Sequence, residues 1–198
     1  MKQITFKQYR AIDLTILCVM TAIFEAITTV ATSNWFVLQA MAISITLAMT
    51  CIALLRWGLF AVLPSLVGSL TFCIASGATP DQYVIYCVGA IFALIAYPIA
   101  LKLDKEKIRL NFSRRLIFAV SVYLFTVLGR WLTSLLFVPT LETLKTFLTT
   151  DVLSLLFAIL ILYVCKGLDG VIEDQRHYLI RLDEERKAEQ EQNLNDPF

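Results

Sequence analysis

The chain has 198 residues, 58% of them hydrophobic and 17% charged, with a mean hydropathy of +0.73. Those values exclude an ordinary soluble domain of this length, whose surface needs more polar residues, and point to an integral membrane protein. The net charge of +1 divides unevenly: residues 1–168 hold 13 Lys/Arg against 7 Asp/Glu, whereas residues 169–198 hold 4 against 9. A basic-flanked apolar body (1–168) therefore precedes an acidic tail (169–198).

A helix needs about 20 apolar residues to cross the hydrocarbon of a bilayer. Six runs meet that requirement, near residues 11–32, 35–55, 58–77, 82–103, 115–138 and 146–167. They are continuously apolar rather than alternating, so the expected fold is an all-α bundle of six transmembrane helices and not a barrel. The first run reads as a retained helix. It is longer than a signal-peptide core, carries Asp13 and Glu25, and ends without a small-x-small cleavage site.

The first run also holds Thr21, Glu25, Thr28 and Thr32 at helical spacing, and a small-residue pair, Ala22 and Ala26, with Cys18 extending its face. Small residues four apart allow another helix to approach closely. At the second junction, Arg56 and Trp57 have the composition of an interfacial anchor, and Pro64 with Gly68 is expected to kink the third helix. The fourth run contributes Tyr83, Tyr86 and Tyr97.

The fifth run contains "GRWLTSLLF", with an arginine inside an apolar helix. Tyr123, Thr126, Arg130, Ser134 and Phe137 recur at spacings of 3, 4, 4 and 3, which is one helical face. Arg130 lies nine residues before Pro139 and Glu25 nine before Asn34, each about 13 Å below its helix end. Asp151 sits about one turn into the sixth run. Charges at such depth cost several kcal/mol unless paired or hydrated, so they face a bundle interior or a wet cavity. Asn34, Trp35, Gln39, Gln82 and Trp131 collect at the same rim.

Two readings of these residues stay open. One is a pocket in which Arg130 meets an anionic or carbonyl group between aromatic walls. The other is a structural pair of Arg130 with Glu25 or Asp151 that only fixes helix packing.

The basic residues fall on alternate connections: the N-terminus, Arg56, the "KLDKEKIRLNFSRR" segment and Lys166 on one side, Lys145 alone on the other. The positive-inside rule then places both termini in the cytoplasm. The tail reads as a helix with Ile172, Leu179 and Leu182 on a thin apolar stripe, running out into disorder, and His177 as a solvated histidine. The five cysteines form no CxxC pair, and no ATPase or hydrolase motif occurs, so neither metal, cofactor nor enzymatic activity is expected of this chain. No nucleic-acid partner is expected.

With six runs, cytoplasmic termini, the Ala22–Ala26 pair and polar and aromatic residues gathered at the outer ends, residues 5–168 resemble the substrate-binding S component of an energy-coupling factor (ECF) vitamin transporter. The resemblance implies high-affinity capture of a small water-soluble vitamin or precursor and its uptake across the bacterial cytoplasmic membrane. It implies docking of Ala22 and Ala26 on a transmembrane coupling subunit, with two cytosolic ATPases supplying the energy. It also implies a binding site in the outer half, closed by loops between helices 1–2, 3–4 and 5–6. By location that site would include Glu25, Asn34, Trp35, Tyr83, Tyr86, Tyr123, Arg130, Trp131 and Asp151. The acidic tail is not a feature of that family. An alternative of similar size and span count is an MreD-like scaffolding membrane protein that binds no ligand.

Overall fold

In the computed structural model the backbone is described for residues 5–35, 42–168 and 170–195, and side chains for these up to residue 188 except Trp35. The regular structure of the described residues is all helical, with no strand among them. Five helical stretches are long and apolar enough to cross a membrane: Phe6–Asn34, Thr46–Ser76, Pro80–Leu103, Phe112–Ser134 and Glu142–Cys165. The chain is a multi-pass membrane protein in this sense. Its outer surface agrees: on α1 (Phe6–Trp35) Ile12, Ile16, Val19, Ile23, Ile27 and Val30 are all exposed along one stripe.

The second stretch is not one straight helix. α2 (Thr46–Trp57) ends at Gly58, whose φ of 60° with ψ of −128° is reserved for glycine, and a 3₁₀ turn (Gly58–Ala61) leads into α3 (Val62–Ser76). A Cβ on Gly58 would also lie 2.8 Å from the Tyr97 ring. Thr46 and Gly68, equally far from Trp57 in sequence, are neighbours: the Thr46 hydroxyl occupies the place a Gly68 Cβ would take. The two legs therefore run antiparallel, with the turn at the end of the bundle where Tyr9 and Arg56 lie, the terminal end.

Two sequence expectations are corrected here. The second helix begins at Thr46 rather than 35: residues 42–45 are non-helical, and 36–41, including Gln39, lie outside the described residues. The cause is side-chain competition for the backbone, described below. The third helix shows no break at Pro64 or Gly68. Pro64 occupies its first turn, where a missing N–H removes no helix bond, and the irregularity falls at Gly58–Ala61 instead.

The rest follows in chain order. α4 (Pro80–Phe92) opens with Pro80, and Gln82 Oε1 accepts the Thr79 N–H at 2.9 Å, so this rim glutamine serves the helix start. A 3₁₀ turn (Ala93–Ala96) precedes α5 (Tyr97–Leu103), where Pro98 withholds the N–H that would continue an α-helix. The basic segment forms a short helix, α6 (Lys105–Leu110), and Asn111 caps α7 (Phe112–Ser134) by accepting the Ser113 N–H at 3.0 Å. α7 stops at Ser134, so Phe137 lies beyond the helix and is 40% exposed, off the face predicted for it. α8 (Glu142–Thr150) and α9 (Val152–Cys165) share one apolar stretch, interrupted at Asp151.

α4 and α7 form a close pair, because Gly89 faces Arg130 and Gly129 faces Phe92. A Cβ on Gly89 would stand 2.3 Å from Arg130 Cγ and 3.0 Å from its backbone nitrogen. Gly89→Ala is therefore expected to destabilise the protein by about 1–3 kcal/mol through overpacking. Gly167→Ala, where the nearest atom is 3.7 Å away, should be near neutral. Thermal unfolding of both in detergent checks this.

At the terminal end the start of the tail docks onto the body. Arg56 bonds Asp13 through two nitrogens (2.6 and 3.1 Å) and donates to the carbonyls of Gly170 (2.8 Å) and Val171 (3.3 Å). Trp57 Nε1 reaches the same aspartate at 2.5 Å. Ile172 and Gln175 are buried, and Gln175 accepts from Tyr9 at 3.1 Å. Lys105 pairs with Asp174 (2.7 Å), and Arg109 and Arg181 both pair with Glu173. α10 (Gln175–Asn195) leads away from this junction.

Candidate functional site

α1 carries its polar face inward. Thr21, Glu25, Thr29 and Thr32 are buried, so Thr29 takes the place predicted for Thr28, which is half-buried and bonds the Phe24 carbonyl. Glu25 is fully buried and faces α2. Its Oε2 accepts both the backbone N–H of Thr46 (2.8 Å) and the Thr46 hydroxyl (2.9 Å). An acidic group at a helix N-terminus satisfies donors left over by the helix and complements its dipole. This carboxylate, reaching over from another helix, is what starts α2 at Thr46.

The segment before α2 is held in the same way. Ser154 accepts the Ser44 N–H at 2.9 Å and donates to the Ala42 carbonyl at 3.2 Å, and the Ala42 N–H donates to Thr150 O at 3.1 Å. Residues 42–45 thus lie in non-helical backbone against the junction of α8 and α9. Irregular backbone among membrane helices is tolerated where protein or a polar cavity surrounds it.

Arg130 stands on the other side of that segment. Only one turn of α7 follows it, yet it is 8% exposed, so protein covers it rather than depth in lipid. Its Nη1 pairs with Asp151, itself 8% exposed, and its guanidinium lies 4.4 Å from the centre of the Tyr86 ring. Tyr86 packs against Phe72 (4.9 Å between centroids) and meets Phe147 edge-on (6.4 Å). Tyr123 donates to the Leu148 carbonyl at 2.6 Å. Arg130 Nε, Glu25 Oε1, Thr29 Oγ1 and Ser69 Oγ are buried without a hydrogen-bond partner.

Between these groups lies a small cavity of about 20 Å³, room for about one water. Its polar lining is Ser44, Thr46, Thr50, Ser65, Ser69, Tyr123, Thr126, Arg130, Asp151 and Ser154. A smaller adjoining space touches Tyr86 and Phe72. In this conformation the site is closed and nearly full.

Of the residues singled out in the sequence, Arg130, Asp151, Tyr86 and Tyr123 meet at this cavity. Glu25 joins through Thr46 and does not pair with Arg130. Tyr83 and Trp131 are half-buried and do not line it. Asn34 is exposed at the end of α1, bonded to its own helix at Val30 O, and the Trp35 side chain lies outside the described residues. The hydroxyls of Ser44, Thr46, Thr50, Ser65, Ser69 and Ser154 were not singled out. The pairs Thr46/Thr50 and Ser65/Ser69, four apart in apolar runs, were the available signal. Ala22 and Ala26 are half-buried on α1.

A larger groove of about 630 Å³ lies at the terminal end between α5–α6 and α10, lined by Tyr97, Lys105, His177, Tyr178 and Arg181 among others. Its cations already hold acidic partners, Lys105 with Asp174 and Arg181 with Glu173. The Arg130 site is distinguished by a buried cation with donor capacity to spare. No family model, curated protein or solved structure matches this chain.

Proposed function

We propose that the chain captures a small water-soluble vitamin or vitamin precursor as the S component of an ECF-type uptake system in a bacterial cytoplasmic membrane. The observation that carries the reading is the Arg130 site: a buried guanidinium, an aromatic face and a wall of hydroxyls around an interrupted helix. Transporter sites are built in this way, because broken helices free backbone groups and helix ends to meet a solute within the membrane.

The fold-back at Gly58 supports a reading with six crossings, and the basic residues of the terminal end, Arg56, Lys105, Arg109, Arg114 and Arg115, support placing that end in the cytoplasm. Ligand then enters at the other end, past residues 42–45 and α8. Ala22 and Ala26 flank the exposed apolar stripe of α1, as docking positions for a coupling subunit require. Energy comes from ATPase partners, since this chain has no nucleotide motif. The alternative, an MreD-like scaffold, would recruit partners through the tail and the cytoplasmic loops and would bind no ligand.

Native mass spectrometry of the gently purified protein tests the reading. The wild type is expected to retain a small molecule, and Arg130→Ala to lose it by about 100-fold or more in affinity while remaining folded. A wild type that retains nothing and binds no member of a vitamin panel would remove the transport reading.

A further inference from the structure

Arg130 and Asp151 together constrain what the ligand is. Taking the anion away from an ion-paired guanidinium buried among helices, with nothing in its place, is strongly destabilising. Among the described residues two carboxylates come near. Glu25 is engaged by the N-terminus of α2, so Asp151 alone is paired with the guanidinium. A neutral ligand has nothing to offer in its place, and a cation would be repelled.

The pair itself is incomplete. Asp151 takes a hydrogen bond from Nη1, while Nε is buried with no partner. A free carboxylate that lies along the edge of the guanidinium accepts from Nε and a terminal nitrogen together, the two-bond arrangement that makes arginine–carboxylate pairs strong. Exchange of Asp151 for such a group gains a hydrogen bond and keeps the charge balanced. That difference is what a ligand needs to shift a conformational equilibrium.

Asp151 also has a way out. It sits at the interruption between α8 and α9, with φ −91° and ψ 1°. No residue of α8 is fully buried, and residues 136–142 leading into it are exposed. Among the described residues, two polar contacts beyond the ion pair tie this region to its neighbours: Tyr123 to Leu148 O, and Ala42 N–H to Thr150 O.

We infer that Asp151 is an internal stand-in for the ligand's carboxylate: the site takes a small carboxylate-bearing solute, which displaces Asp151 from Arg130 as α8 pivots outward. This rests on the transport reading for its purpose, and its chemistry is tested separately.

The test is chemical rescue of the full chain in nanodiscs. Asp151→Ala leaves Arg130 without an anion and is expected to lower Tm. Acetate should restore it by about 5 °C or more at saturation, beyond the effect of acetamide or of chloride at equal ionic strength. The double variant Asp151→Ala/Arg130→Leu should show no acetate-specific response. Asp151→Asn, closer in size, is titrated alongside.

If neither single variant folds, hydrogen exchange on the wild type decides. Acetate, and not acetamide, should speed exchange across residues 143–150 about tenfold while residues 118–130 stay protected. Equal responses to acetate, acetamide and chloride overturn the inference, as does a double variant that still responds. Rescue without any retained vitamin leaves the carboxylate site standing and removes the transport reading. A retained ligand lacking a carboxylate, with no rescue, does the reverse.

Discussion

Arg130→Leu alone and Asp151→Leu alone are each expected to destabilise the protein by about 3–5 kcal/mol, and the double variant by clearly less than the sum. Each single change leaves one charge buried, beside Tyr86 and the hydroxyl wall, with no counter-ion. The double change removes both charges and fills the space with apolar side chains, which buried pairs often tolerate. Unfolding of all four proteins in the same bicelles yields the coupling energy directly. Single-variant costs below about 1 kcal/mol would mean that both groups are hydrated, as in an exposed pair. The cavity would then stand open to water for much of the time.

Glu25→Ala should be comparably damaging for a different reason. It strips the nearer acceptor from the Thr46 N–H, leaving Ser44 Oγ at 3.3 Å, and takes the Glu25 acceptor from the Thr46 hydroxyl at the same time. Leaving a buried donor unsatisfied costs about 1–3 kcal/mol, and the truncation adds a void. Glu25→Gln keeps one carbonyl oxygen in place and is expected to cost about 1–2 kcal/mol. Amide exchange at Thr46 and Leu47 should rise sharply in the alanine variant and little in the glutamine variant. Equal damage from both would show that the negative charge itself, and not the acceptor atom, holds the start of α2. A loss of ligand retention in Glu25→Gln with stability intact would instead make Glu25 a contact of the solute.

Much of this was legible in the sequence, and what escaped has identifiable causes. Apolar runs fix where helices lie, and the recurrence of Tyr123, Thr126, Arg130 and Ser134 marks a face that is indeed buried. The start of α2 was hidden because residues 36–55 are almost uniformly apolar, so no periodicity distinguishes helix from the non-helical stretch at 42–45. What decides there is a carboxylate 21 residues earlier, and Ser154, 110 residues later than Ser44. The exchange of Thr28 for Thr29 is a matter of helix rotation: consecutive threonines differ by about 100°, and sequence spacing alone did not choose between them. Serines and threonines in apolar helices commonly bond their own i−4 carbonyl, as Thr50 and Thr126 do, which disguises a polar wall as ordinary span residues.

The tail was the least legible part. Its excess of acid opposite the basic 102–115 segment was visible as charge, but nothing in spacing announced that Glu173 and Asp174 meet Arg109 and Lys105.

That junction has a consequence for how the molecule is made. Asp13, Arg56 and Trp57 leave the ribosome well before residues 170–175 and are able to find one another early, since N-terminal parts fold first. The carbonyls of Gly170 and Val171, with Ile172 and Gln175, are made after every helix of the bundle, and until they are released Arg56, Lys105 and Arg109 wait with part of their partner set missing. Completion of this junction is therefore tied to synthesis of residues 170–175. A chain truncated before residue 170 would carry every helix of the bundle and still present an unsealed, positively charged face to whatever quality-control machinery surveys it.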